Sequence, residues 1–193
     1  YIADGDAGLQ IIDISAPQNA AIIETVNTPR NACGLAYSGN IVYMADGYGG
    51  LQVIEARNEA PVNEYPIMVN TPGSARSVAT VGETAYIACG SDGFGGLEIV
   101  DISDPEHPVI MGILNTPGFA QDISVAGETA YLADGAEGLQ IIDVSNPGNP
   151  VIIGSADTPG YTYGVAVAGN TAYVTHRYGF YVIDVSKSEN PVI

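Results

Sequence analysis

The first chemistry this sequence offers is a set of carboxylates at turn positions. Asp4, Asp46 and Asp134 each follow an aromatic-led apolar run and precede a glycine; Cys89 and His176 hold the same place in two further copies of the pattern. One carboxylate per copy, gathered at one end of a closed fold, would form a ring able to hold a hard cation such as Ca²⁺. Asp-Gly is equally ordinary hairpin chemistry, because both residues tolerate positive φ. The stretch Asp4-Gly5-Asp6-Ala7-Gly8 echoes a Ca²⁺ loop but lacks the later bidentate glutamate. Beyond that Ca²⁺ option no cofactor is expected. A second acidic set, Asp13, Asp101, Asp143 and Asp184, stands two residues before a serine each time. It suits either a cation or side-chain-to-backbone bonds that set a loop.

Catalytic constellations are scarce. The only histidines are His107 and His176, and no nucleophile-elbow, phosphate-loop or zinc-protease pattern occurs. A Cys33 or Cys89 nucleophile would need a base that the sequence does not place. A glycosidase pair could be drawn from 22 acidic residues, but any one choice would be arbitrary. The balance leans away from an enzyme, with a metal-assisted acidic site as the alternative.

A different column points to recognition. Thr-Pro pairs recur at Thr28, Thr71, Thr116 and Thr158, and five residues after each threonine stand Cys33, Arg76, Gln121 and Tyr163. Their chemistry changes from copy to copy, as expected of a ligand-facing surface on a constant scaffold. Asp122, beside this column, is the one charge among otherwise small residues and is placed to face a channel. Two further departures from the pattern are candidates for binding: Phe94, inside a three-residue insertion at 90–96, and His176, in a shortened turn with Arg177 and Tyr178. Another departure is one extra residue in the 57–60 loop.

What must hold these residues is a repeat. The aromatic-led motif starts at Tyr1, Tyr43, Tyr86, Tyr131 and Tyr173, in steps of 42, 43, 45 and 42 residues. That period is the length of one four-stranded propeller blade. Within one unit, short β-branched runs at 121–126, 129–133, 139–144 and 151–156 are separated by Gly, Pro, Asn and Asp, which predicts four strands. In the first strand, Gly34, Ser77, Asp122 and Gly164 share a column of small residues, as do Ala36, Ala79, Ser124 and Ala166 two positions on. Leu35, Val78, Ile123 and Val165 alternate with them on the other face. The small face suits the crowded axis and the branched face suits contact with the next blade.

The expected fold is therefore all-β, a propeller of four-stranded antiparallel blades. Residues 1–27 form a partial first blade, 28–70, 71–115 and 116–157 three full ones, and 158–193 a partial fifth. About four and a half blades suggest a segment of a larger ring whose remaining blades lie in the same chain. A closed five-blade ring is the rival.

The third strands read Leu-Gln-Ile-Ile-Asp at 9–13 and 139–143, Leu-Glu-Ile-Val-Asp at 97–101 and Tyr-Val-Ile-Asp-Val-Ser from Tyr181. This resembles the LVIVD-repeat family of β-propellers, over essentially the whole chain. The second copy departs, with Glu55-Ala56-Arg57 where the others carry Asp and Ser. The resemblance implies a bacterial or archaeal propeller, often part of a long exported or surface protein, and no catalytic residues, since the motif builds the fold.

Composition agrees with that setting. With 22 acidic and 5 basic residues the net charge is −17, which repels phosphate backbones and anionic lipid. Neither nucleic-acid binding nor membrane insertion is expected. No apolar run approaches the ~20 residues of a membrane span. The sequence reading is thus a non-catalytic binding or scaffold module, extracellular or at the cell surface, with a protein or glycan partner. A purely structural array is the bland counterpart. The five motif tyrosines are expected in the core or between blades.

Overall fold

A computed structural model describes residues 1–55, 66–91 and 94–193, with Phe94 described by its backbone only. It contains five antiparallel sheets in chain order. The first has β1 (Ile2–Ala3), β2 (Leu9–Asp13) and β3 (Ala21–Val26). The second has β4 (Gly34–Ser38), β5 (Ile41–Ala45), β6 (Leu51–Glu55) and β7 (Ile67–Val69). The third has β8 (Ala75–Val81), β9 (Thr84–Ser91), β10 (Phe94–Asp101) and β11 (Val109–Asn115). The fourth has β12 (Asp122–Ala126), β13 (Thr129–Ala133), β14 (Leu139–Asp143) and β15 (Val151–Ala156). The fifth has β16 (Thr162–Ala168), β17 (Thr171–His176) and β18 (Gly179–Asp184). Two single 3₁₀ turns, Pro17–Asn19 and Gly135–Glu137, interrupt the loops.

Each sheet is an up-and-down meander, because Gly-containing turns are too short for anything but antiparallel neighbours. The glycine before the third strand is a steric requirement in the first four blades, at Gly8, Gly50, Gly96 and Gly138. Gly138 has φ +72°, and a Cβ there would overlap the Ala156 carbonyl oxygen on the outer strand. A bulge recurs between the third and fourth strands, at Ile11/Ile12, Ile99/Val100 and Ile141/Ile142. It adds twist, as successive blades need.

The core lies between blades. One cluster joins Leu9 to Val42, Met44 and Ile54; another joins Tyr43, Leu51 and Val53 to Val78, Ile87 and Val100. A third joins Tyr86, Leu97 and Ile99 to Ile123, Leu132 and Ile142; the last joins Tyr131, Leu139 and Ile141 to Val165, Val174 and Ile183. Every junction thus sets one face of a blade against the opposite face of the next. Among the described residues no such cluster joins the fifth blade to the first, so the fan is open.

Three sequence expectations change in detail. The insertion in the third blade lengthens a hairpin, with Ser91 paired to Phe94 and Gly90 to Gly95. The small column in the innermost strands lets adjacent strands approach each other: a Cβ on Gly34 would come within 3.1 Å of Ser77 Cα. Of the motif tyrosines, Tyr43, Tyr86 and Tyr131 are buried, whereas Tyr1 and Tyr173 are exposed. The 57–60 loop lies outside the described residues, as does the Phe94 side chain.

Candidate functional site

The Thr-Pro crossings carry the chain from the outer strand of one blade to the inner strand of the next. The fourth residue after each threonine is buried: Ala32, Ala75, Ala120 and Thr162. Period-two alternation then turns the third and fifth residues to the other side. A bulge strengthens the effect. Ala75 pairs with Cys89 and Ser77 with Ala88, leaving Arg76 as the extra residue. Thr162 and Gly164 likewise pair with His176 and Thr175, leaving Tyr163. Bulged residues leave the pleat and are re-aimed; here Arg76 and Tyr163 stay exposed beside the crossings.

Arg76 and Gln121 meet there in a cavity of about 240 Å³, lined also by Tyr48, Gly90, Ser91, Phe119 and Tyr161. Tyr163 packs on Tyr161 with ring centroids 5.0 Å apart. The Gln121 amide donates to the Phe119 carbonyl at 3.1 Å. Arg76 has no acidic partner within salt-bridge distance among the described residues, although the protein carries 22 acids. Its charge is felt instead by Tyr161 and Cys33. Burial and Tyr163 push the Tyr161 hydroxyl up while Arg76 pulls it down. Burial likewise pushes the Cys33 thiol up, partly offset by Arg76. Cys33 is exposed and its Sγ donates to Asn31 at 3.2 Å.

Of the fifth-residue column only Arg76 and Gln121 line this cavity, and Cys33 and Tyr163 do not; Phe119 and Tyr161 in the third-residue column, and Tyr48 at the tip of a hairpin, were not singled out by the sequence. The signal was available in the alternation around the buried alanines, once these are seen as strand-like.

The hairpin aspartates serve the crossings. Asp134 Oδ1 accepts from the Thr116 hydroxyl at 2.7 Å and its Oδ2 from the Gly118 N–H at 2.9 Å. Asp46 accepts from the Thr28 hydroxyl and the Arg30 N–H, both at 3.0 Å. Both side chains are buried, and burial pushes both carboxyls up against the pull of those donors. Asp4 is exposed. Among the described residues, no group of three or more His, Cys, Asp or Glu side chains is gathered where a metal ion could be held.

Asp122 is also tied to its neighbours. Ser77 Oγ donates to it at 2.6 Å and the Val165 N–H at 2.9 Å, so one carboxylate links the inner strands of three blades. His176 is half-buried and stacks on Tyr181 at 4.8 Å. The strand-end Asp13, Asp101, Asp143 and Asp184 accept the N–H of Ser15, Ser103, Ser145 and Ser186 at 2.8–2.9 Å. These bonds hold their carboxyls below the usual range.

One buried group was not foreseen. Glu98 stands where other blades have Gln10, Gln52 and Gln140, whose amides donate to carbonyls three residues earlier. Glu98 is fully buried, neither carboxyl oxygen has a hydrogen-bond partner among the described residues, and burial pushes it up to about 7. Nearby Cys89 is pushed up to about 12, by burial first and by Glu98 second. A larger cavity of about 340 Å³ opens between Ile41, Val53, Asp104 and Glu106 on the outer rim. Its carboxylates are Glu55, Asp104 and Glu106, and it shares no lining residue with the cavity of Arg76 and Gln121.

Comparison with known proteins places this architecture. The family model described as LVIVD repeat matches residues 1–28, 29–63, 72–116, 117–158 and 159–193. No curated protein matches the sequence. A functionally unknown protein from Desulfotomaculum acetoxidans is similar in structure, with TM-score 0.77 and 14% identity over 98% of this chain and 63% of that one. The β-propeller domain of Cps50 (Swd1) from Myceliophthora thermophila gives 0.64 and 13%, over 88% and 57%. The computationally designed Ika8 protein gives 0.65 and 10%, over 83% and 48%. The chain spans about half to two-thirds of the length of these three, and identities this low speak for the propeller fold alone.

Proposed function

The chain belongs to the LVIVD-repeat family, and from that premise we propose that it is a non-catalytic recognition module of an exported or cell-surface protein, which takes up a protein or glycan partner at its channel mouth. The observation that carries this reading is Arg76: a guanidinium with no acidic partner among the described residues of a strongly acidic protein, beside Tyr48, Phe119 and Tyr161 in one cavity. Exposed aromatic faces with a charged fork and an amide recognise ligands through stacking and bidentate hydrogen bonds. The scaffold supports this by holding the mouth residues on bulged strand ends rather than on long loops. The cysteines speak against nucleophilic catalysis, because burial pushes both thiols up, away from the reactive thiolate. The two histidines sit apart in kind: His107 is in an exposed loop bonded to Asp104, and His176 is stacked on Tyr181.

The test is a glycan array together with a display library of acidic and neutral peptides, probed with the wild-type chain and with Arg76→Ala. Any ligand retained by the wild type should weaken at least tenfold in Arg76→Ala, the loss of one charged hydrogen bond. Because Arg76 is exposed, the melting temperature should not move. Binding that ignores Arg76→Ala would place recognition elsewhere, and no binding at all would favour a structural array.

A further inference from the structure

The cavity around Arg76 lies inside the fan. Tyr48 comes from the hairpin of the second blade, Arg76 from β8 of the third, Phe119 and Gln121 from the crossing into the fourth, and Tyr161 from the crossing into the fifth. Three aromatic rings, one guanidinium and one amide line it, and among the described residues no aliphatic side chain does. The Tyr161 ring is held from two sides. A Cβ on Gly135 would come within 2.9 Å of it, and Tyr163 packs on it with centroids 5.0 Å apart. The Gln121 amide gives one N–H to the Phe119 carbonyl, which leaves a second N–H and an oxygen to meet a ligand.

The main chain here is already paired. The Gly90 N–H donates to the Ser74 carbonyl at 2.9 Å and the Gln121 N–H to the Ala133 carbonyl at 2.8 Å, while Ser91 pairs with Phe94 across the hairpin. A peptide added as a strand needs a free edge, and a helix laid in a groove needs apolar pockets. Neither is found at this cavity among the described residues. A sugar ring needs what is present: aromatic rings for its C–H face, and side-chain donors and acceptors for its hydroxyls. At about 240 Å³ the cavity falls below the roughly 300–1,000 Å³ that encloses a drug-sized ligand, which suits one sugar residue rather than a length of chain.

Arg76 selects the charge. Its planar fork matches a carboxylate through two parallel hydrogen bonds. The net charge of −17 repels anions in proportion to their own charge. A ligand with a single carboxylate therefore approaches more readily than a phosphate monoester, which carries about −2. Resting on the recognition reading above, we propose that the ligand of this cavity is a uronic-acid residue of a glycan, with its carboxylate on the Arg76 fork, its ring against Tyr161 and its hydroxyls toward the Gln121 amide.

Isothermal titration calorimetry on the whole chain tests this, with trimers of galacturonic, glucuronic and mannuronic acid, each beside its methyl ester. At least one acid trimer should bind. Its ester, the same ring without the charge, should bind at least tenfold more weakly, the loss of one charged hydrogen-bonded pair. Arg76→Ala should bring the acid down to the level of the ester and leave the ester unchanged. Arg76→Lys should recover only part of the difference, because an ammonium lacks the fork. Arg76 is exposed, so an unchanged melting temperature is expected to show that both variants fold. Acid and ester that bind equally, or a loss in Arg76→Ala that falls on both, overturn the uronate assignment and leave recognition at Arg76 standing. Binding of peptides, neutral glycans or phosphorylated sugars with none of the trimers does the same. Silence towards every trimer, glycan and peptide overturns this inference and the recognition reading together.

Discussion

Blades four and three solve the same packing problem with different residues. In the fourth, Asp134 holds the crossing and Gln140 occupies the buried column behind it; the second blade uses Asp46 and Gln52 in the same way. In the third, Cys89 replaces the aspartate and Glu98 replaces the glutamine. Each of these hairpins therefore carries one buried carboxyl, at one of two adjacent positions. The reason is electrostatic: two carboxylates so close in a desolvated seam could not both ionise. In blade four the carboxyl meets two donors and holds the crossing. In blade three it meets none and stays protonated at an unusually high pH. The comparison separates a carboxylate that stabilises the fold from one that the fold merely tolerates.

The largest effect should come from removing the stabilising one. Asp134→Ala strands the Thr116 hydroxyl and the Gly118 N–H in a buried crossing. At about 1–3 kcal/mol for each unsatisfied group, the loss should be on the order of 3 kcal/mol, measured by urea unfolding. Asp134→Asn keeps one acceptor and should lose about half as much. Equal stability of Asp134→Ala and wild type would mean that the crossing is held by packing alone.

Blade three should answer with the opposite sign and a pH signature. Glu98 has a folded-state value near 7 against an ordinary 4.5. The folded state therefore holds its proton where the unfolded state has released it. Stability is highest below about 4.5 on this account, falls as pH rises to about 7, and stays low above that. Glu98→Gln removes this dependence and should stabilise by on the order of 2–3 kcal/mol at pH 8, with little change at pH 4.5. The strand-end aspartates titrate with the opposite sign at lower pH, whereas Asp46 and Asp134 are pushed up as Glu98 is, so it is the difference between wild type and Glu98→Gln at pH 5 and pH 8 that isolates Glu98. Cys89→Asp sharpens the point: it should destabilise in the wild-type background at pH 8 and much less in Glu98→Gln. An additive double-mutant cycle would remove the electrostatic reason for the pairing of residues.

How legible all this was in the sequence depends on the length scale. Strand positions in blade four, such as 129–133 and 151–156, follow from β-branched runs and turn residues alone. The mouth column at Cys33, Arg76, Gln121 and Tyr163 was visible as variation at a fixed distance from Thr-Pro. Phe119 and Tyr161 were not, because the crossings read as turns until the buried alanines and the bulges show them to be strand-like. The spacing of 18 residues from Thr28 to Asp46 and from Thr116 to Asp134 was present, but its meaning is a contact between a crossing and a hairpin that only folding brings together. Glu98 looks like any surface glutamate until its burial is known.

The smallest expected effect compares two threonines in equivalent crossings. Thr116 donates to Asp134, whereas Thr158 faces a blade in which His176 holds the aspartate's place. Its hydroxyl is buried with no hydrogen-bond partner among the described residues. Valine has nearly the shape of threonine and no hydroxyl, so the same substitution should have opposite signs at the two sites. Thr116→Val leaves an Asp134 oxygen without its donor and should destabilise by about 1–2 kcal/mol. Thr158→Val removes a desolvated group that gains nothing and should stabilise by about 1 kcal/mol. Urea midpoints of the two variants, taken at one pH, are sufficient. If both substitutions destabilise alike, the hydroxyl of Thr158 has a partner after all, and His176 has not relieved the fifth blade of the bond that holds the others.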